Sequence, residues 1–145
     1  METKIINVKE LVNLNNIKVR FSEVDAMQIV WHGNYVKFLE DGREAFGKQY
    51  GLGYYDVYEK GYLTPIVKVD LDYKKQVRYG DELQIKTIFR NVDAAKICFD
   101  YEIRRMADNK VVTTAKTIQV FLNNEGELQI TNPPFYIKWK EENGL

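Results

Sequence analysis

Cysteine is almost missing from the chain. Cys98 is the only one, so neither an intramolecular disulfide nor a cysteine-based zinc site can form, and a reducing, cytoplasmic setting is expected. Charge of one sign is missing too. Lys plus Arg number 21 and Asp plus Glu number 21, which leaves no strong field to draw the protein to nucleic acid or to an anionic membrane surface. No apolar run approaches the roughly 18 residues of a membrane-spanning helix, so no membrane partner is expected. Met1 to Asn16 breaks its apolar residues with Lys4, Asn7, Lys9, Glu10 and Asn13, unlike a secretory signal. Proline occurs only at Pro65, Pro133 and Pro134, and no repeat or low-complexity linker divides the sequence. A single domain over 1–145 is expected, with 1–16 as an N-terminal extension whose structure the pattern leaves open.

What is present is 45% hydrophobic and 13% aromatic, enough for a core in 145 residues. Ile17 to Phe21 alternates apolar and polar residues, the period of a half-buried strand. From Asn34 the period lengthens. Tyr35, Phe38, Leu39, Gly42, Ala45 and Phe46 recur at intervals of three and four, and Gly51 followed by Leu52 supplies a stop. A helix of about 17 residues and about 25 Å results, the only long one the pattern predicts. Gly42 in its middle costs roughly 1 kcal/mol against alanine, which predicts close approach of another backbone to that face. The tyrosines at 54, 55, 58 and 62 are expected to pack against the end of this helix, with lining of an acyl pocket as the alternative.

Alternation returns through Val67, Val69, Leu71 and Tyr73, and three further strands are predicted over Glu82 to Arg90, Lys96 to Arg105 and Val111 to Leu122. Their connections are short and carry turn residues, which implies an antiparallel meander. The expected class is α+β, with a five-stranded antiparallel sheet around one helix. About 17 helical residues cannot cover both faces of such a sheet, so a dimer is expected.

The chemistry concentrates between Arg20 and Tyr35. Asp25 lies on a loop running into the helix N-terminus, where unpaired N–H groups and the helix dipole favour a negatively charged oxygen. Thioester hydrolysis suits this arrangement. The leaving thiolate belongs to a thiol of pKa about 8.5 and needs no obligatory general acid, while an aspartate of reference pKa about 3.9 is already ionised. Such a carboxylate attacks the carbonyl or activates water, and one helix N–H at the oxyanion is worth about 100- to 1,000-fold. No cofactor and no metal is required. The plain alternative is that Asp25 caps a turn, as aspartates in loops do. Glu40 on the helix pairs with Arg43 at i, i+3 and is read as structural, with a catalytic carboxylate as its reserve role. Cys98, in a strand, is read as packing.

Asp25, Ile29, Val30, Trp31, His32, Asn34 and Tyr35, with the helix pattern at Phe38, Leu39, Glu40 and Arg43, resemble the signature of the 4-hydroxybenzoyl-CoA thioesterase-like family, which includes enzymes associated with the Tol-Pal system. The resemblance covers roughly residues 17–122 and is carried by the combination. It implies a hotdog fold, an acyl-CoA substrate, and Asp25 as nucleophile or general base with the backbone N–H near His32 polarising the carbonyl. The His32 side chain is then a secondary catalytic candidate. Trp31, Gly33 and Asn34 fall in the substrate-binding segment, and Thr64-Pro65-Ile66-Val67 resembles the entry to the strand beside the acyl pocket. Lys96 corresponds to a basic strand start that would meet CoA phosphates. The resemblance further implies a homodimer or homotetramer with the site at a subunit interface. Two positions depart from the pattern: Gln28 replaces a usual glycine and Val77 a frequent proline. Two rival readings stand beside hydrolysis of acyl-CoA: an acyl carrier protein as the thiol carrier, and a non-catalytic acyl-CoA-binding protein.

Overall fold

The computed structural model describes residues 10–145; the first nine residues of the expected N-terminal extension lie outside them. Nine elements follow: β1 (Leu11–Lys18), a 3-10 turn (Phe21–Glu23), α1 (Asn34–Tyr50), α2 (Tyr54–Glu59), β2 (Ile66–Tyr73), β3 (Glu82–Arg90), β4 (Lys96–Arg105), β5 (Lys110–Val120) and α3 (Pro134–Glu142). The five strands form one antiparallel sheet in the order β1-β3-β4-β5-β2. Only β3, β4 and β5 form the predicted meander; β1 and β2 occupy the two edges.

Helix α1 occupies the predicted 17 residues, and Gly51 ends it in the left-handed conformation at φ 71°. Its face of Tyr35, Phe38, Leu39 and Phe46 packs on the inward side chains of the central strands, Leu83, Ile85, Phe89, Phe99, Tyr101 and Ile103, all nearly inaccessible. A Cβ at Gly42 would lie 2.5 Å from Thr87 Oγ1 and 2.9 Å from Ile85 Cγ2. The predicted close approach is present, and it comes from β3 side chains, not from another backbone.

The first strand was expected at Ile17 to Phe21 and is instead Leu11–Lys18, pairing with β3 from Leu11↔Phe89 to Lys18↔Glu82. Its inward residues include the polar Asn13, whose Nδ2 donates to Gln49 Oε1 at 2.8 Å, and this polar inward position hides the apolar period. Phe21 belongs to the 3-10 turn and is 75% exposed. Helix α3 was not anticipated. Pro134 opens it at a first-turn position that lacks a hydrogen-bonding demand, and Tyr136 and Trp139 are buried against Phe89 and Phe121. The indole N–H of Trp139 donates to the Tyr50 carbonyl at 2.7 Å, tying α3 to the end of α1.

Tyr54, Tyr55 and Tyr58 lie on α2, largely exposed, with Tyr54 edge-on to Tyr55 and stacked on Tyr58, and Tyr54 and Tyr55 border a cavity beside α1; Tyr62 packs inward, against Phe121 and Phe135. The outer face of the sheet carries Lys86 opposite Glu102 and Asp100 opposite Lys116. The same face also carries Leu14, opposite Lys86 and 58% exposed. Apolar side chains are also uncovered at edge strand β2. There Val69 and Tyr73 pair with the inward residues Thr117 and Thr113 yet stay 37% and 51% exposed.

Candidate functional site

Glu23 closes the 3-10 turn, and the chain then doubles back on itself. Val24 bridges Val30, the Asp25 N–H donates to the Ile29 carbonyl at 2.9 Å, and the Gln28 N–H returns to the Asp25 carbonyl at 2.9 Å. Gln28 sits at φ 63°, the left-handed region that glycine occupies without strain. The usual glycine at this position therefore answers a backbone demand, and Gln28 meets that demand at a conformational cost. Asp25 is half-buried, and its Oδ1 accepts the Met27 N–H at 2.8 Å. The turn-capping role is thus present, and Oδ2 accepts no hydrogen bond among the described residues.

Beyond Val30 the chain enters α1. The Asn34 N–H donates to the Trp31 carbonyl at 2.9 Å and the Tyr35 N–H to the His32 carbonyl at 3.3 Å. The intervening N–H groups of His32 and Gly33 have no acceptor among the described residues. The indole of Trp31 folds over Gly33, where an added Cβ would meet its ring at 2.1 Å, and stacks against the His32 imidazole at 5.1 Å between centroids. Gly33 is therefore the residue that leaves room for Trp31. Asn34 turns its Nδ2 back to the Glu23 carbonyl at 2.8 Å. The Tyr73 hydroxyl donates to the His32 carbonyl at 3.0 Å, so edge strand β2 also holds the start of the helix. A cavity of about 260 Å³ opens here, with Ile29, Val30, His32, Tyr35, Tyr73 and Gln76 among its walls; Asp25 is outside it. Burial pushes the Tyr35 phenol above its ordinary range.

Trp31, His32, Gly33 and Asn34 thus lie at the start of α1, and Asp25 lies on the loop that precedes them, with its Oδ1 turned to the Met27 N–H. Thr64 and Lys96 are not with them. Tyr73, bonded to His32, faces Thr113 on β5, whereas Ile66 faces Gln119 and Lys96 faces Val120. The seven steps from Thr113 to Val120 separate the two groups by about 23 Å along the strand. Thr64 borders a second, larger cavity of about 580 Å³, walled by Leu52, Ile66, Ile97 and Phe99 with Glu40 and Arg43 at α1. Glu40 is exposed at the wall of this cavity, and its Oε1 lies 3.8 Å from Arg43 Nη2. Cys98 is half-buried in β4, and burial pushes its thiol up. Glu23 was not singled out by the pattern, although its acidic side chain stands two residues before Asp25; it is buried. Among the described residues no three His, Cys, Asp or Glu side chains could share a metal ion, and no helix is long and apolar enough to cross a membrane.

The sequence profile of the Thioesterase-like superfamily matches residues 19–139. A Bacillus subtilis protein named "Putative acyl-CoA thioesterase YneP" is 37% identical over 92 residues, 63% of this chain and 67% of that protein. "Acyl-acyl carrier protein thioesterase ATL3, chloroplastic" of Arabidopsis thaliana is 28% identical over 109 residues, covering 75% of this chain and 57% of the plant protein. Among solved structures, a DHNA-CoA thioesterase from Staphylococcus aureus superimposes with a TM-score of 0.81 at 22% identity, over 92% of this chain and 89% of that one. The five-stranded sheet with its packed helix is the fold of these hotdog thioesterases. The chain belongs to the Thioesterase-like superfamily.

Proposed function

We propose that the protein hydrolyses an acyl-CoA thioester to the free acid and CoA, with Asp25 as nucleophile or general base. The observation that carries this reading is the doubled-back loop from Val24 to Val30, which sets an aspartate immediately before a helix start with two uncommitted N–H groups. As general base, Asp25 takes a proton from water while the water oxygen attacks the thioester carbon. As nucleophile, its oxygen attacks directly, the C–S bond breaks, and water then hydrolyses the acyl-aspartyl anhydride. In both routes negative charge gathers on the carbonyl oxygen, where the His32 or Gly33 N–H donates, and the CoA thiolate leaves without an acid. The free Asp25 Oδ2 suits either role. The His32 imidazole, exposed beside Trp31, serves to orient water or Asp25.

A site shared between two copies accounts for the separation of the expected residues. Thr64 and Lys96 lie toward the far end of the strands, about 23 Å from the Tyr73–His32 contact within one chain, and the larger cavity beside Thr64 reaches α1 at Glu40 and Arg43. A second copy docked along β2 would bring one copy's loop to the other copy's cavity. The uncovered Val69 and Tyr73 on that edge favour such docking. Of the rival readings, an acyl carrier protein substrate is favoured by the plant relative's name.

Free thiol released from a panel of acyl-CoAs tests the reading. The expected outcome is turnover by the wild type of at least one member, with Asp25→Asn slowed by about 100-fold or more. Binding of CoA esters with no thiol release would favour the non-catalytic alternative, and faster turnover of the same acyl group on acyl carrier protein would reassign the carrier.

A further inference from the structure

Glu23 is a carboxylate that the proposed chemistry does not use, and it is 3% exposed. A charge placed so deeply is costly unless it is matched. Its Oε1 accepts the Arg20 N–H at 2.7 Å, and its Oε2 accepts Arg20 Nη2 at 3.2 Å and Lys37 Nζ at 3.1 Å. Burial pushes the carboxyl up, but the hydrogen bonds from Arg20 and Lys37 prevail and hold it below the usual carboxylate range. The main chain of the same residue is equally occupied. The Glu23 carbonyl accepts the Trp31 N–H at 3.0 Å and Asn34 Nδ2 at 2.8 Å. Five donors therefore converge on one residue from three places: Arg20 at the start of the 3-10 turn, the return arm of the loop, and the first turn of α1. Asp25 stands two residues on, inside the loop so clamped.

We propose that Glu23 is a positioning residue for Asp25, its buried carboxylate and its carbonyl together locking the loop against α1 so that Asp25 is held beside the His32 and Gly33 amides. This rests on the thioesterase reading of the same site. Arg20 and Lys37 have largely exposed side chains, so the buried partner is Glu23 and the anchoring runs inward to it. A displacement of about 1 Å at a reacting group costs on the order of 100-fold in rate. Loss of the Glu23 charge is therefore read in turnover, not only in stability.

The test compares Glu23→Gln and the milder Lys37→Met with wild type. Lys140→Met serves as a control, because Lys140 donates to the Val92 carbonyl at 2.8 Å, far from this loop. Thiol release, melting temperature and amide hydrogen exchange of the segment 24–31 are measured for each. Glu23→Gln is expected to lower kcat by about 10- to 100-fold with KM within about threefold, and Lys37→Met by less. Both are expected to speed exchange in 24–31. Lys140→Met is expected to lower the melting temperature while leaving kcat and that exchange unchanged. The proposal is overturned if folded Glu23→Gln and Lys37→Met keep wild-type kcat, or if exchange in 24–31 is unaltered in both. Should wild type release thiol no faster than Asp25→Asn, the thioesterase reading is what fails. Exchange then decides the role of Glu23 by itself: acceleration supports its hold on the loop, and no change overturns it.

Discussion

Gln28 illustrates what one residue reveals about the loop that carries Asp25. Its φ of 63° lies in a region that costs an L side chain about 1–2 kcal/mol. Glycine would remove that cost while adding about 0.5–1 kcal/mol of chain entropy to the unfolded state. Gln28→Gly is therefore expected to raise the unfolding free energy by up to ~1 kcal/mol in a denaturant titration with turnover retained. A destabilised Gln28→Gly would mean that the Gln28 side chain makes contacts worth more than the strain. Gly33 obeys a different rule: its φ is −66°, and a side chain there would have to displace the Trp31 ring, with no demand from the backbone. The two positions differ by cause although both call for a small residue, and the sequence could not separate them. Whether Asp25 lined a cavity or capped its own turn was likewise beyond reach of spacing, because the answer depends on the Asp25–Ile29 pairing that closes the loop.

Among the elements, α1 was legible to the residue because its apolar spacing, its polar opposite side and its Gly51 stop all agree. Strands β3 and β4 were legible for the same reason, their inward residues being apolar with few exceptions. β1 was misplaced because Asn13 faces inward, its Nδ2 held by Gln49 from α1, a contact 36 positions away that no local pattern contains. α3 escaped because nine residues rich in Lys and Glu show little periodicity, and the burial of Tyr136 and Trp139 comes from tertiary contact with Phe89 and Phe121. The packing of α1 on β3 yields a sharp prediction. Gly42→Ala gains about 1 kcal/mol of helix propensity, yet its Cβ meets Thr87 Oγ1 and Ile85 Cγ2, and overpacking of this kind costs about 1–3 kcal/mol. Net destabilisation is expected in thermal melts, and Gly42→Ala with Thr87→Ala is expected to recover most of it. Equal melting temperatures for wild type and Gly42→Ala would refute the close packing.

At the scale of the whole molecule, the hotdog fold and the membership of the Thioesterase-like superfamily agree with the reading of the Arg20–Tyr35 segment. The same segment did not reveal that Thr64 and Lys96 stand at the other end of the sheet, because strand order is set by long-range pairing. β1 lies beside β3 and β2 beside β5, and neither neighbour is consecutive in sequence. That separation, with the bare inward side chains of β2, argues for a site completed by a second copy. Val67→Lys combined with Val69→Lys is expected to shift the protein toward monomers in sedimentation velocity and to lower turnover in parallel. A fully active monomer would mean that one chain holds the whole site. The central claim is that the Asp25 carboxylate performs the chemistry. Single-turnover release of CoA thiol by folded Asp25→Asn, set against wild type with the best acyl-CoA of a panel, tests it most directly. The account predicts a rate reduced by about 100-fold or more with substrate still bound; an Asp25→Asn enzyme that releases thiol at the wild-type rate would contradict it.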